Sequence, residues 1–297
     1  MGDTAVPDLT EVEAEVRAAI DARTYGTLRL LGHGDISIVL GWPSAAPEHA
    51  LKRVPPFVSS AHADEYIAVC ERYLQLLRDA GVAVWPTSLH RLERSDGSAV
   101  VYHHQPVADA AQLGVNVLRN SAPSADHPLL EAIVRHTAAV VRPGVIGFDV
   151  QAANWIWDGA RAHQIDFTSP FLLDATGKDL EFDTSGFLRE YPAVLRPVLK
   201  RELLKLVLRF TTAEGAIGDL VGNLQKEQLH EWVEPAIEAA RAHVGVHIDR
   251  AATTKMFEDD KKLMPLTLKL KRGQRWWITR TGRAYDSMLP ERTTYDR

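Results

Sequence analysis

The sequence predicts an α+β chain in two lobes that share a cleft, and three observations carry that expectation. Roughly the first hundred residues alternate short strand-like runs around one strong helix. The remainder is mostly helical. A small island of strand-like residues, 145–173, interrupts the helices. A length of 297 residues suits one large domain or two lobes. The expected division is an N-lobe at 1–105 and a C-lobe at 106–297.

Residues 11–24 read as an amphipathic helix, because Val12, Val16, Ala19 and Ile20 recur at helical spacing. Residues 28–41 read as a strand, a glycine turn and a second strand. A third strand at 49–54 stops at Pro55-Pro56. Ile67, Cys70, Leu74 and Leu77 place a helix over 62–80, with Gly81 as its stop. A strand-like run, Ala99–Tyr102, leads into His103-His104-Gln105-Pro106. Further helices are expected at 127–141, 187–210 and 226–243, and a strand-like run from about 264.

Composition excludes several classes of function. The formal net charge of -5 gives no field for nucleic acid. Between Lys261 and Arg283 stand eight basic side chains and no acid, which read as a solvated face or as a contact with an anion. Trp276 and Trp277 in that tail either pack it down or cap a pocket. Cys70 is the lone cysteine, so no internal disulfide forms. Met1–Thr10 lacks an apolar h-region, and no run approaches the roughly eighteen apolar residues of a spanning helix. A cytoplasmic protein with no membrane partner is expected.

The chemistry sits in the island. Asp149 and Asn154 are five residues apart, and Asp166 follows inside Ile165-Asp166-Phe167. Phosphoryl transfer needs Mg²⁺ held by hard oxygens, and a carboxylate that orients the attacking hydroxyl and accepts its proton. The spacing supplies both. Upstream, Gly32-His33-Gly34 with Ser37 forms a small-residue turn that lets backbone N–H groups approach phosphates. Lys52 ends the third strand. His103 and His104, adjacent on a strand, face opposite ways and make a poor chelating pair.

Taken together, these motifs resemble the small-molecule kinases of the protein-kinase-like fold, the aminoglycoside phosphotransferase branch in particular. The resemblance covers roughly residues 26–175 in ordered motifs. It implies Asp149 as the catalytic base and Asn154 and Asp166 as Mg²⁺ ligands. It further implies a nucleotide-covering loop at Gly32, Gly34 and Ser37, and a phosphate-pairing lysine at Lys52. A glutamate of the 62–80 helix should brace that lysine; Glu71, on the Ile67–Leu74 stripe, is preferred over Glu65. Tyr102, His103, His104 and Gln105 fall on the hinge that binds adenine. The implied activity moves the γ-phosphoryl of ATP or GTP to a hydroxyl of a small molecule, such as an antibiotic, natural product or metabolite. Two departures stand out. Gly147-Phe148 replaces the usual histidine before the base, and Thr168 stands where protein kinases place glycine. A pseudokinase that binds nucleotide or a protein partner, and a kinase-like fold running other chemistry, are the rival readings.

Overall fold

The computed structural model describes residues 5–33, 37–281 and 285–288, with the backbone alone at 33 and 260–267. Helix α1 (Leu9–Ala22) begins two residues earlier than the periodicity indicates, because the Asp8 carboxylate accepts the Thr10 N–H at 2.8 Å and caps the first turn. Strands β1 (Arg29–His33), β2 (Ile38–Trp42) and β3 (His49–Arg53) follow. Helix α2 (Ser60–Asp79) starts on the Ser59 cap and stops where Gly81 takes a φ of +84°. Strands β4 (Ala83–Val84), β5 (Ser88–Glu93) and β6 (Ala99–Pro106) complete the N-lobe. Its sheet is antiparallel in the order β1-β2-β3-β6-β5.

The C-lobe contains α3 (Gly114–Arg119), α4 (Pro128–Val140), the hairpin β7 (Trp155–Trp157) and β8 (Ala162–Gln164), and then α5 (Ser185–Leu188), α6 (Arg196–Phe210), α7 (Ala213–Lys226), α8 (Val233–Val244) and α9 (Arg250–Arg280). Strand β4 pairs in parallel with β8, Ala83 opposite His163 and Val84 opposite Gln164. The chain leaving α2 is therefore stitched into the C-lobe island. One apolar core runs from the inner face of the N-lobe sheet through α2 to α4, α7 and α8.

Two expectations change, and one helix, α7, is not anticipated. The helix at 187–210 is broken: Pro192 lies between α5 and α6, and Pro197 sits in the first turn of α6. Helix α7 carries Gly215, Gly218 and Gly222, which weaken its sequence signal but allow close packing. A Cβ on Gly215 would stand 2.0 Å from the Arg209 carbonyl oxygen, and Gly218 and Gly222 lie against Thr253, Met256 and Phe257 of α9. The strand-like tail is helical: Leu266, Leu268 and Leu270 alternate directly after Pro265, yet the chain stays in α9 from Arg250 to Arg280.

Strand alternation divides the N-lobe sheet into two faces. Leu51, Val100 and Tyr102 point outward to Val12, Val16 and Ile20 of α1, together with Met288 from beyond α9. Arg53 shares that face and grips Glu13 through both carboxylate oxygens, at 2.8 and 2.9 Å. Tyr102 donates to the same carboxylate at 2.6 Å, and Arg94 also pairs with it. Asp286 joins the cluster: its carbonyl accepts from Arg53 at 3.0 Å, and its carboxylate pairs with Arg94 at 3.1 Å and with Arg17. The residues beyond α9 thus cross from the C-lobe onto the back of the N-lobe.

Burial pushes the Glu13 carboxyl up, but Arg53, Tyr102 and Arg94 outweigh it and hold the group at about 2. Glu13→Gln is expected to destabilise the fold by about 3 kcal/mol, the loss typical when one partner of a buried ion pair is removed. The folded value lies below the ordinary 4.5. The carboxylate's contribution is therefore complete above about pH 4.5 and fades as pH falls toward about 2. Urea unfolding of wild type and variant across that range should show the gap between them closing.

Candidate active site

Lys52 and His103 are register partners on β3 and β6, and both point to the inner face of the sheet. From there the Lys52 ammonium reaches Asp166 at 2.9 Å. Asp166 follows β8, and its carboxylate also accepts the Thr168 N–H at 3.0 Å and the Thr168 hydroxyl at 2.7 Å. Burial pushes this carboxyl up, but the Lys52 charge and the Thr168 donors prevail and hold it at about 2. It is ionised at any ordinary pH.

Asp149 is tuned the other way. Desolvation first, then the charges of Asp219 and Asp166, raise it to about 8, while the Gln151 N–H and Asn154 pull weakly against them. Asn154 closes a short 3₁₀ turn at Ala152–Asn154, and its carbonyl accepts the Ile165 N–H at 3.0 Å. That bond sets the base loop beside the Asp166 turn. Gln164 reinforces it by donating to the Asp149 carbonyl at 3.0 Å and the Asp166 carbonyl at 3.4 Å.

No histidine braces the base loop, and the structure shows what does. The Gly147 N–H donates to Phe171 at 2.8 Å, and the Phe148 N–H to Phe210 at 3.1 Å. The Tyr73 hydroxyl donates to the Gly147 carbonyl at 2.9 Å. A Cβ on Gly147 would press on Phe171 and Phe210 at 3.1 Å, so glycine eases this close approach. Phe148 is fully buried and meets Trp155 edge to face.

The same helix that carries Tyr73 holds the turn that carries Asp166. Tyr66 donates to the Thr168 carbonyl at 2.9 Å, and the Cys70 thiol to the Phe167 carbonyl at 3.8 Å. The His103 Nε2 lies 2.9 Å from the Tyr66 oxygen. Because the one Tyr66 proton goes to Thr168, His103 must donate and is the Nε2–H tautomer. Burial, then the neighbouring Lys52, depress its pKa to about 3, so the ring is neutral. Three side chains of α2 therefore donate to three backbone carbonyls of the Asp149 and Asp166 loops.

The residues fit a magnesium ion. Among the described residues no three acidic, histidine or cysteine side chains form a metal cage. Mg²⁺ suits such a site, since it usually takes one or two carboxylates together with substrate phosphates. Asp166 and Asn154 are the hard-oxygen donors at hand.

A family model described as a family of unknown function (DUF6206) matches residues 11–274. The chain belongs to this family. No curated protein matches its sequence. Among solved structures, WaaP in complex with acyl carrier protein is similar at 12% identity, with 91% of this chain and 98% of that chain covered at a TM-score of 0.41. The PknI kinase domain of Mycobacterium tuberculosis is similar at 16% identity, covering 73% of this chain and 94% of that one at a TM-score of 0.30. The two-lobed α+β fold expected from the sequence is carried by the order of elements in this DUF6206 chain. A five-stranded antiparallel sheet takes one helix after its third strand, and a helical lobe then presents two loops around a small hairpin.

Several expected site residues of this DUF6206 protein stand elsewhere. Glu71 is exposed, one helical step off the buried stripe of Ala63, Tyr66, Cys70, Tyr73 and Leu77, and Lys52 pairs with Asp166 instead. Glu65 is exposed too. Tyr102, His103 and His104 pair with β3 on one side and β5 on the other, so their backbone is engaged in the sheet and does not form a hinge. The Tyr102 and His104 side chains face away from the site, toward Glu13 and His49. Gln105 turns toward it, donating to the Ile165 carbonyl at 3.0 Å. Gly32 lies in β1 opposite Val39, beside a register shift, and Ser37 is buried just before β2. Gly34 lies outside the described residues.

Tyr66, Tyr73, Gln164 and Asp219 belong to the site without an obvious sequence signal. Asp219, on the glycine-bearing α7, is buried against Arg209 at 3.0 Å and Asn223 at 2.8 Å. The acids between 174 and 190 are committed locally. Asp174 and Asp183 cap their own turns, while Asp179, Glu181 and Glu190 pair with Lys200, Arg72 and Lys271. Tyr66→Phe should cost about 1–3 kcal/mol in denaturant unfolding, because it leaves a buried carbonyl and a buried imidazole N–H unpaired. Glu71→Ala should stay within about 0.5 kcal/mol of wild type, as an exposed substitution does.

Proposed function

We propose that this chain is a nucleoside-triphosphate-dependent phosphotransferase whose acceptor is a hydroxyl of a small molecule. The observation that carries the reading is geometric: Lys52 meets Asp166 at 2.9 Å, and the bonds from Ile165 to Asn154 and from Gln164 to Asp149, each 3.0 Å, hold the Asp149 loop beside it, in surroundings that keep Asp166 ionised and push Asp149 up. Environments that drive paired acids apart in this way assign them different tasks. Asp166, with Asn154, would hold Mg²⁺, which supplies charge neutralisation on the phosphates. Asp149 would orient the acceptor hydroxyl and take its proton. Its raised pKa suits that work near neutral pH, where a base is most effective.

Lys52 would exchange partners. With a metal ion on Asp166, its ammonium is drawn to the phosphates, so metal and nucleotide favour each other's binding. The adenine or guanine would meet backbone beyond Pro106, where the chain leaves the sheet. The acceptor class remains the broad one implied by the resemblance to aminoglycoside phosphotransferases: an antibiotic-like compound, a natural product or a metabolite.

A second reading, nucleotide binding without transfer, is favoured by one observation: α2 offers Lys52 no carboxylate. Calorimetric titration of ATP and GTP with and without Mg²⁺ addresses both. Wild type should bind a nucleotide in a metal-dependent way, and Asp166→Ala should lose that dependence. Asp149→Asn should keep nucleotide binding while lowering phosphoryl transfer by about 10²–10⁴-fold, the span of a lost general base. Nucleotide binding with no transfer to any acceptor would favour the second reading. Absence of nucleotide binding would overturn both.

A further inference from the structure

We propose that the outward face of the last turns of α9 seats the protein on an anionic lipid surface. The inference is independent of phosphoryl transfer and stands on side chains far from Asp149 in the sequence. Helix α9 is fixed on its inner side. Thr253, Met256 and Phe257 meet α7, Leu268 is buried, and Lys271 pairs with Glu190 at 2.6 Å while lying over the Tyr191 ring. Its register is therefore set, and so is the identity of the face left in solvent.

That face is Lys269, Gly273, Trp276, Trp277 and Arg280. The spacing of three and four residues puts them on one stripe. Trp276 is 58% and Trp277 61% exposed, the largest apolar side chains in solvent among the described residues. Two adjacent indoles left open in this way mark a contact surface. Arg280 covers the Trp276 ring at 5.1 Å, so the pair is flanked by cations in place and in contact.

Charge identifies the occupant. On this face Lys269 and Arg280 stand exposed with no acid between them in the sequence, in a chain whose formal net charge is -5. These two cations lie beside the exposed tryptophans, whereas Lys271 is engaged by Glu190 on the inner side. Indoles seat at the headgroup level of a bilayer, and cations beside them are drawn by an anionic leaflet. A helix lying along the protein surface with this composition is suited to the membrane plane. No helix among the described residues is long and apolar enough to cross a membrane, so the contact is peripheral. The sequence-based expectation of no membrane partner rests on overall charge and on spanning segments, and neither bears on a local patch.

The test is co-sedimentation of the full chain with vesicles of phosphatidylcholine alone and of phosphatidylcholine mixed with phosphatidylglycerol. Wild type should partition to the mixed vesicles, and less so as salt rises. Trp276→Ser/Trp277→Ser should lower that partitioning by at least about tenfold, the loss expected when two indoles no longer bury apolar area. Lys269→Glu/Arg280→Glu should remove the preference for the anionic lipid. All these positions are exposed, so unchanged melting curves will show that the variants fold. No binding of wild type, or equal binding of the tryptophan variant, would overturn the proposal. So would a dimer in sedimentation velocity that the tryptophan variant loses, since the face would then belong to a second copy.

Discussion

The ion pair between Lys52 and Asp166 is the contact on which the arrangement of the lobes depends. One partner belongs to a strand of the N-lobe and the other to a loop of the C-lobe, so the pair closes the cleft from inside. Lys52 is nearly buried and Asp166 partly so, and taking such charges out of water is offset only where their remaining hydrogen-bonding capacity is met. Thr168 meets it for Asp166, and the short strand β4 keeps the two lobes in register beside it. The same pair holds the candidate metal ligand in its charged state without any metal.

Around that pair the protein uses uncharged bolts. Tyr66, Cys70 and Tyr73 each donate to a backbone carbonyl, and Gln105 and Gln164 do the same from the sheet and the hairpin. Such bonds are not screened by salt and do not titrate near neutral pH, since burial pushes both tyrosines well above their ordinary range. The outer face of the sheet is held differently, by Glu13, Asp286 and three arginines. One sheet thus separates a site whose loops are pinned by neutral contacts around one central ion pair from a back held by a cluster of ions.

Much of this was legible in the sequence, and the failures have physical reasons. Asp149, Asn154, Asp166 and Lys52 stand out because short loops between apolar strands leave few roles for such residues. The fold class follows from the same alternation. Glu71 misled because the stripe Ile67–Glu71–Leu74 and the buried stripe Tyr66–Cys70–Tyr73 differ by one residue, a rotation of about 100°. Periodicity alone does not fix which of two adjacent stripes faces inward. The hinge at 102–105 failed for a non-local reason: whether a strand's backbone is free depends on β5 pairing with it. Helix α7, and Asp219 with it, was hidden by glycines whose purpose is close approach to Arg209 and α9.

The position of Asp286 has a consequence for synthesis. Arg17 and Asp286 are 269 residues apart, yet they share one cluster behind the N-lobe sheet. At roughly 5–20 residues per second on a ribosome, Arg17 emerges tens of seconds before its partner. Through that interval Glu13 must hold the nascent arginines alone, and the apolar slot for Met288 stands open. The first lobe to be made is therefore the last to be finished. A chaperone, or a transient contact of the nascent chain, has its best opportunity there.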